Sequence, residues 1–249
     1  MALPLTFDRK VRVSSAPWLD TQGDDFPLCS KCVQVMVAGI NLILAEIEKA
    51  ESPKCTDLCS FAPAGGLEFQ LCSELCELVG VGVFMEAVKL SGGADFIAPC
   101  DALRVCKSAD CPSANPTCVQ LGEPTVSPAS AAAGTAFQVA LPLNVSAGDD
   151  GIGASQLVTT VCQTTQSAKD CAKSGQDALL TPGLVSGAYP LGLTIDSTDS
   201  PPGDYVVTLR LCEGTCTEDD TPPGTQGPHG RYQRNFGSAS ATFTVTQQS

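Results

Sequence analysis

"FPLCSKCVQVMVAGINLILAEIEKA", residues 26–50, carries two cysteines three apart at the head of an apolar run. Cys29 and Cys32 have three open fates: they hold a zinc ion, perform redox chemistry, or pin this segment to a distant one. Behind them Cys32, Val35, Met36, Gly39, Ile40, Ile43, Leu44 and Ile47 recur at spacings of three and four. That period predicts an amphipathic helix that stops before Pro53.

Working outward, the whole chain bounds the choice. Its 249 residues suffice for two domains, and 43% hydrophobic against 16% charged residues is a globular composition. Net charge is −13, which repels phosphate backbones and excludes nucleic acid as a natural partner. Fourteen cysteines, an even count, point to disulfides in an oxidising compartment: secretion or an endolysosomal lumen. The opening "MALPLTFDRKVRVSS" has too short an apolar stretch for a signal peptide, so the expectation is a secreted or lumenal protein whose start is trimmed, fragmentary or mispredicted. No stretch is read as reaching the ~18 apolar residues of a membrane-spanning helix.

Four regions follow from the change in period. Residues 1–25 read as a loose leader, 26–107 as helical, 108–124 as a linker and 125–249 as β. In the helical region, "LEFQLCSELCELVGVGVFMEAVKL" gives a second helix with an apolar stripe through Leu67, Leu71, Leu75, Leu78, Val79, Val83, Phe84, Ala87 and Val88. Gly80 and Gly82 are poor helix residues and bend it. "IAPCDALRVCK" closes the region as a short helix. The Pro- and Ser-rich linker holds Cys111 and Cys118, read as a local bridge. Beyond it "TAFQVALPLNVS", "ASQLVTTVCQT", "YPLGLTID", "DYVVTLRLCE" and "SASATFTVTQ" alternate between turn clusters, the rhythm of an immunoglobulin-like antiparallel sandwich.

The helical cysteines are Cys29, Cys32, Cys55, Cys59, Cys72, Cys76, Cys100 and Cys106. A structural zinc site favours paired CxxC knuckles, often with histidine. Here the second pair, Cys100 and Cys106, is too widely spaced and the region has no histidine. If the first and last helices lie side by side and antiparallel, Cys29 meets Cys106 and Cys32 meets Cys100. Cys55 and Cys59, like Cys72 and Cys76, stand one turn apart on one helix face. A hairpin clamp joins Cys55 to Cys76 and Cys59 to Cys72, but the pairing within these four stays open at this stage.

This layout resembles the saposin B-type family: "CSKC" opens the first helix, Cys59 and Cys72 sit centrally, and "CDALRVC" closes residues 26–107. The extra pair Cys55 and Cys76 departs from the family's six-cysteine pattern. The resemblance implies a clasp whose apolar face meets lipid or a membrane surface. The residues it marks are Val33, Met36, Val37, Ile40, Ile43, Leu44, Val83, Phe84 and Val88, which otherwise form a closed core. In the second half, "SPPGDYVVTLRLCEG" and "ATFTVT" resemble the end of the Niemann-Pick lipid-recognition sandwich family.

Cys162 with Cys171, and Cys212 with Cys216, read as local bridges. Asn144-Val145-Ser146 fits the N-glycosylation sequon. Asp196, Asp199 and Asp204 offer oxygens of the kind calcium takes, and a plain turn is the simpler reading. "TEDDTPPGTQGPHGRYQRNFG" reads as a long loop. The single histidine, His229, lies in it, no nucleophile elbow or phosphate loop occurs, and the expectation is a non-enzyme without cofactor or metal. The first functional reading is a lipid-binding secreted or endolysosomal protein. Its alternative is an extracellular structural or signalling protein working through protein–protein contact, as a homodimer or with another partner.

Overall fold

The structure, a computed structural model, describes residues 27–49, 52–90, 95–106, 118–146, 151–166, 171–173, 178–181, 183–216, 226–227 and 230–247. An all-helical N-terminal region is followed by an all-β C-terminal domain.

Pro27 opens α1 (Pro27–Lys49), a position where its missing N–H is harmless. By length and composition Leu28–Lys49 could cross a membrane, which corrects the count made from the sequence. Here it is the core helix of the domain: Val33, Val35, Met36, Ile40, Ile43 and Ile47 are buried. Gly39 faces the Phe61 ring, and a Cβ there would lie 2.5 Å from it, so only glycine lets the ring lie on α1. The short α2 (Cys55–Leu58) begins where Asp57 Oδ2 accepts the Lys54 N–H at 3.0 Å.

The second long helical run is broken, not bent. It divides into α3 (Leu67–Val79) and α4 (Val81–Leu90) at Gly80. Gly80 takes φ 85°, a conformation that favours glycine, and donates its N–H to Cys76 O at 2.9 Å. α5 (Ala98–Ala102) follows. Four disulfides tie these helices. Cys29–Cys106 and Cys32–Cys100 join the start of α1 to the end of the region, and Cys55–Cys76 and Cys59–Cys72 join α2 to α3.

The β domain has two sheets around one apolar core. In the smaller sheet, β1 (Val119–Leu121) and β2 (Thr125–Ser127) line one edge of β4 (Ala136–Val145), and β8 (Gly187–Asp196) lines the other. Strand β1 falls inside the stretch read as linker; three residues are too few for alternation to register. β4 alternates without a fault, with Phe137, Val139, Leu141, Leu143 and Val145 inward.

Two prolines sit opposite each other in this sheet, Pro142 in β4 and Pro190 in β8. Pro142 O accepts the Gly122 N–H at 2.7 Å, so the Pro142 backbone faces the β1–β2 side. Pro142 and Pro190 are therefore a non-hydrogen-bonded pair, and neither proline removes a bond from the β4–β8 ladder. The Pro190 backbone faces the open side of β8.

In the larger sheet β11 (Gly230–Thr246), β9 (Gly203–Glu213) and β5 (Ser155–Gln163) are antiparallel neighbours in that order. β10 (Gln226–Gly227) and β3 (Ser130–Ala132) flank β11, the latter in parallel. β6 (Ala172–Lys173) and β7 (Ala178–Leu180) flank β5. The end of the stretch read as a long loop is thus strand, with Arg234 paired to Glu213. His229 lies outside the described residues. The two sheets share a core that includes Phe137, Leu141, Leu157, Leu191, Leu209 and Phe243. Cys162–Cys171 and Cys212–Cys216 are bridged. Cys118 is also in a disulfide; its expected partner Cys111 lies outside the described residues.

Candidate interaction surface

The nine residues marked for lipid do not form one open face. Val33, Met36, Ile40, Ile43, Phe84 and Val88 are buried together in the helical core, and Leu44 is half-buried against it. Only Val37 and Val83 face solvent, each 53% exposed. The clasp is closed in this structure. Burying each of the six gains about 1.5–3 kcal/mol, which favours a filled core over an open apolar face.

The exposed apolar side chains of the helical region lie elsewhere. Leu28, Leu42, Leu67 and Leu78 join Val37 and Val83 on the outside, and none of these four was marked from the sequence. The densest stretch spans the α3–α4 break, "LVGVGVFM", residues 78–85. Leu78 is 65% exposed there, and Val79, Val81 and Met85 are half-buried. Cβ atoms added to Gly80 and Gly82 would meet nothing, so the backbone is bare at this tip. Exposed Glu74, Glu77 and Glu86 border it. A signal for it existed in the sequence: no charged side chain separates Glu77 from Glu86, and two glycines interrupt the helical stripe.

A second constellation joins the two domains. Asp95 is fully buried, and its Oδ1 accepts the N–H groups of Ile97 and Ala98, both at 2.9 Å, so it caps the start of α5. The same oxygen accepts the Thr215 hydroxyl of the β domain at 2.8 Å. Gln156 Oε1 accepts the Cys216 N–H at 2.6 Å, and Glu213 Oε1 accepts the Gly153 N–H at 3.2 Å. The loop bridged by Cys212–Cys216 is thereby held with Thr215 aimed at Asp95. Ala154, at the start of β5, is buried within the helical core. Ser30 Oγ on α1 donates to Thr181 Oγ1 at 3.2 Å.

The acidic turn of the β domain is a turn. Asp196 Oδ1 accepts the Thr198 hydroxyl at 2.6 Å and its N–H at 2.9 Å. These bonds, the hydroxyl's first, hold the Asp196 carboxyl below the usual aspartate range. Asp204 Oδ1 accepts the Thr244 hydroxyl at 2.7 Å, away from Asp196. Among the described residues no group of three or more His, Cys, Asp or Glu is placed to hold a metal ion. Asn144 is exposed on the outer face of the smaller sheet.

Comparison with known proteins accounts for both domains. The countin N-terminal domain matches residues 25–104, and the countin C-terminal domain matches residues 119–249. Countin-2 of Dictyostelium discoideum is 29% identical over 231 residues, 89% of this chain and 79% of that protein. Countin-1 of the same organism is 28% identical over 193 residues, 76% of this chain and 69% of its own. Countin-3, also from that organism, is 25% identical over 203 residues, covering 81% and 83%. A solved β-glucosidase from Erythrobacter marinus superposes at TM-score 0.31 and 12% identity over 51% of this chain and 15% of its own, too little to support an argument.

The family matches overturn both resemblances drawn from the sequence, to saposin B-type domains and to the Niemann-Pick lipid-recognition family. Their motifs are explained by more general physics. Nested rungs between antiparallel helices produce such cysteine spacings in any domain so built. The "PPGDY" turn is a tyrosine corner: Tyr205 OH donates to Pro201 O at 2.6 Å, a device found across β-sandwiches.

Proposed function

Because the chain belongs to the countin family, we propose that it is an extracellular, non-enzymatic signalling protein of cell-number regulation that works by protein–protein contact. The observation that carries the contact surface is the bare apolar tip at residues 78–85, held on a disulfide-tied helical scaffold. A rigid surface binds with little ordering cost. The disulfides support an oxidising, extracellular location. The tip's border of Glu74, Glu77 and Glu86 favours a partner that sets basic side chains around an apolar anchor. The same charges oppose anionic membranes, and the closed helical core leaves the lipid reading without an open cleft.

Gel filtration of medium conditioned by the source cells tests the proposal. The wild-type chain is expected above the position of its own purified monomer, and a Leu78→Ser, Val83→Ser variant at that monomer position, with the purified variant's circular dichroism unchanged. Retention of the chain inside cells sinks the extracellular reading. Unchanged elution of the variant sinks the tip. Pelleting with liposomes at pH 4.5 or 7 restores lipid binding as the better account.

A further inference from the structure

The smaller sheet has an outer face unlike the rest of this acidic chain. Along β4 it carries Gln138, Ala140, Pro142 and Asn144, and along β8 Ala188, Pro190, Gly192 and Thr194. Only Asp196, at the far end of β8, brings a charge to these outward positions. Among the described residues β8, ten residues long, pairs only with β4, and no described strand lies along its other side. A long edge with its charge confined to one end is a template for pairing with another chain, and natural sheets obstruct such edges. Pro190 supplies one obstruction, because its backbone faces the open side and has no N–H to offer. Asp196 puts a charge at one end only, and Gly187 to Ile195 carry none.

Asn144 lies on this face in the motif Asn144-Val145-Ser146. Its side chain is exposed, and the residues directly across are uncharged: Ala188 on β8 and Gln120 on β1. Ser146 is exposed at the strand's end, where its N–H donates to Cys118 O at 2.7 Å. Buried Val145 between them turns the two acceptor-motif side chains to the same, solvent side. Adjacent strands lie about 4.8 Å apart, so a sugar rooted on β4 stands one strand from the open edge.

We infer that Asn144 carries an N-linked glycan, and that this glycan with Pro190 keeps the β8 edge and its outer face from pairing with a second copy of the chain. The inference rests on the extracellular reading above, since the modification needs the secretory pathway. In the transfer, Asn144 Nδ2 bonds to the anomeric carbon of a lipid-linked diphospho-oligosaccharide. The carbon–oxygen bond to the diphosphate breaks, the lipid diphosphate leaves, and the amide loses one proton to a base of the transferase. Protein contact is then directed to the helical tip, on the other domain.

The test uses the full chain behind a supplied, cleavable signal sequence in a eukaryotic secretory host, so it does not depend on native secretion. Peptide mapping after peptide:N-glycosidase treatment in heavy-oxygen water is expected to show Asn144 converted to labelled aspartate. Asn144→Gln and Ser146→Ala are expected to lose the glycan, and Ser146→Thr to keep it. Light scattering after gel filtration is expected to show the two glycan-free variants self-associating with concentration, while wild type and Ser146→Thr stay monomeric under the same conditions. Wild type entering the pathway without a sugar at Asn144 overturns the modification. A glycosylated wild type whose glycan-free variants remain equally monomeric overturns the shielding role. Failure of native secretion, read separately in conditioned medium, strikes the extracellular reading instead.

Discussion

Between Cys29 and Cys106, four disulfides join helices across sequence separations of 77, 68, 21 and 13 residues. In the β domain the two bridges described in full span 9 and 4 residues, and long antiparallel ladders make the distant connections. The difference is physical. A bridge across a long loop removes conformations from the unfolded chain, whereas one across a few residues mainly sets the shape of a turn. The helical region uses the former because α2 and α5, of four and five residues, are too short to hold their places as helices alone. The β domain, with a shared core between two sheets, uses Cys212–Cys216 to aim Thr215 at Asp95. The nested pairs also differ in worth: with Cys29–Cys106 closed, Cys32–Cys100 closes only the short remaining circuit and adds less entropy loss.

This contrast breaks first where the effect is largest. Replacing Cys29, Cys32, Cys100 and Cys106 by Ser removes both outer rungs, each of a kind worth about 2–4 kcal/mol. Thermal circular dichroism is expected to show the helical signal at 222 nm lost at lower temperature while the β signal keeps its own midpoint. Loss of both signals together would show that the domains melt as one unit and that the contrast is misplaced.

The junction sharpens the same question at smaller scale. Asp95→Ala leaves the Ile97 and Ala98 N–H groups and the Thr215 hydroxyl without the Asp95 acceptor, at a cost of about 1–3 kcal/mol. Calorimetry is expected to show the two transitions drawn apart, and Thr215→Val to reproduce part of the shift by cutting only the cross-domain bond.

The smallest effect concerns acid. Asp196 has a folded-state pKa held below its unfolded one, so it contributes stability at pH values above the unfolded pKa. That contribution is lost as pH falls through the folded pKa. Thr198→Val is expected to raise the Asp196 carboxyl pKa in an NMR titration and trim acid resistance slightly, in the β domain alone, because the turn is largely exposed.

Much of the architecture was legible along the chain, and the gaps have identifiable causes. The alternation of β4 reads directly as a half-buried strand because every second side chain must face the core. The division at the linker reads from the change of period. The cysteines read as helix staples, although their spacing led to the wrong family. What did not read was the inward side of the helices. Val37 and Val83 have the same apolar character as Val33 and Phe84, and only the angle at which α1 meets its neighbours sorts them. The helix break at Gly80 was signalled only as a bend, since glycine permits a positive φ without requiring it. Strands β1, β3 and β10 are too short to show a period.

The sequence by itself determined the class of each half, the disulfide chemistry, the acidic surface and the sequon at Asn144, because these depend on residue type and local spacing. Only the tertiary structure decided that most of the marked apolar residues lie in a closed core, that Ala154 of one domain fills the core of the other, that Asp95 receives Thr215 from 120 positions away, and that the Pro190 backbone faces away from β4. These outcomes depend on which surfaces meet, and packing between distant segments leaves no period in the chain that makes it.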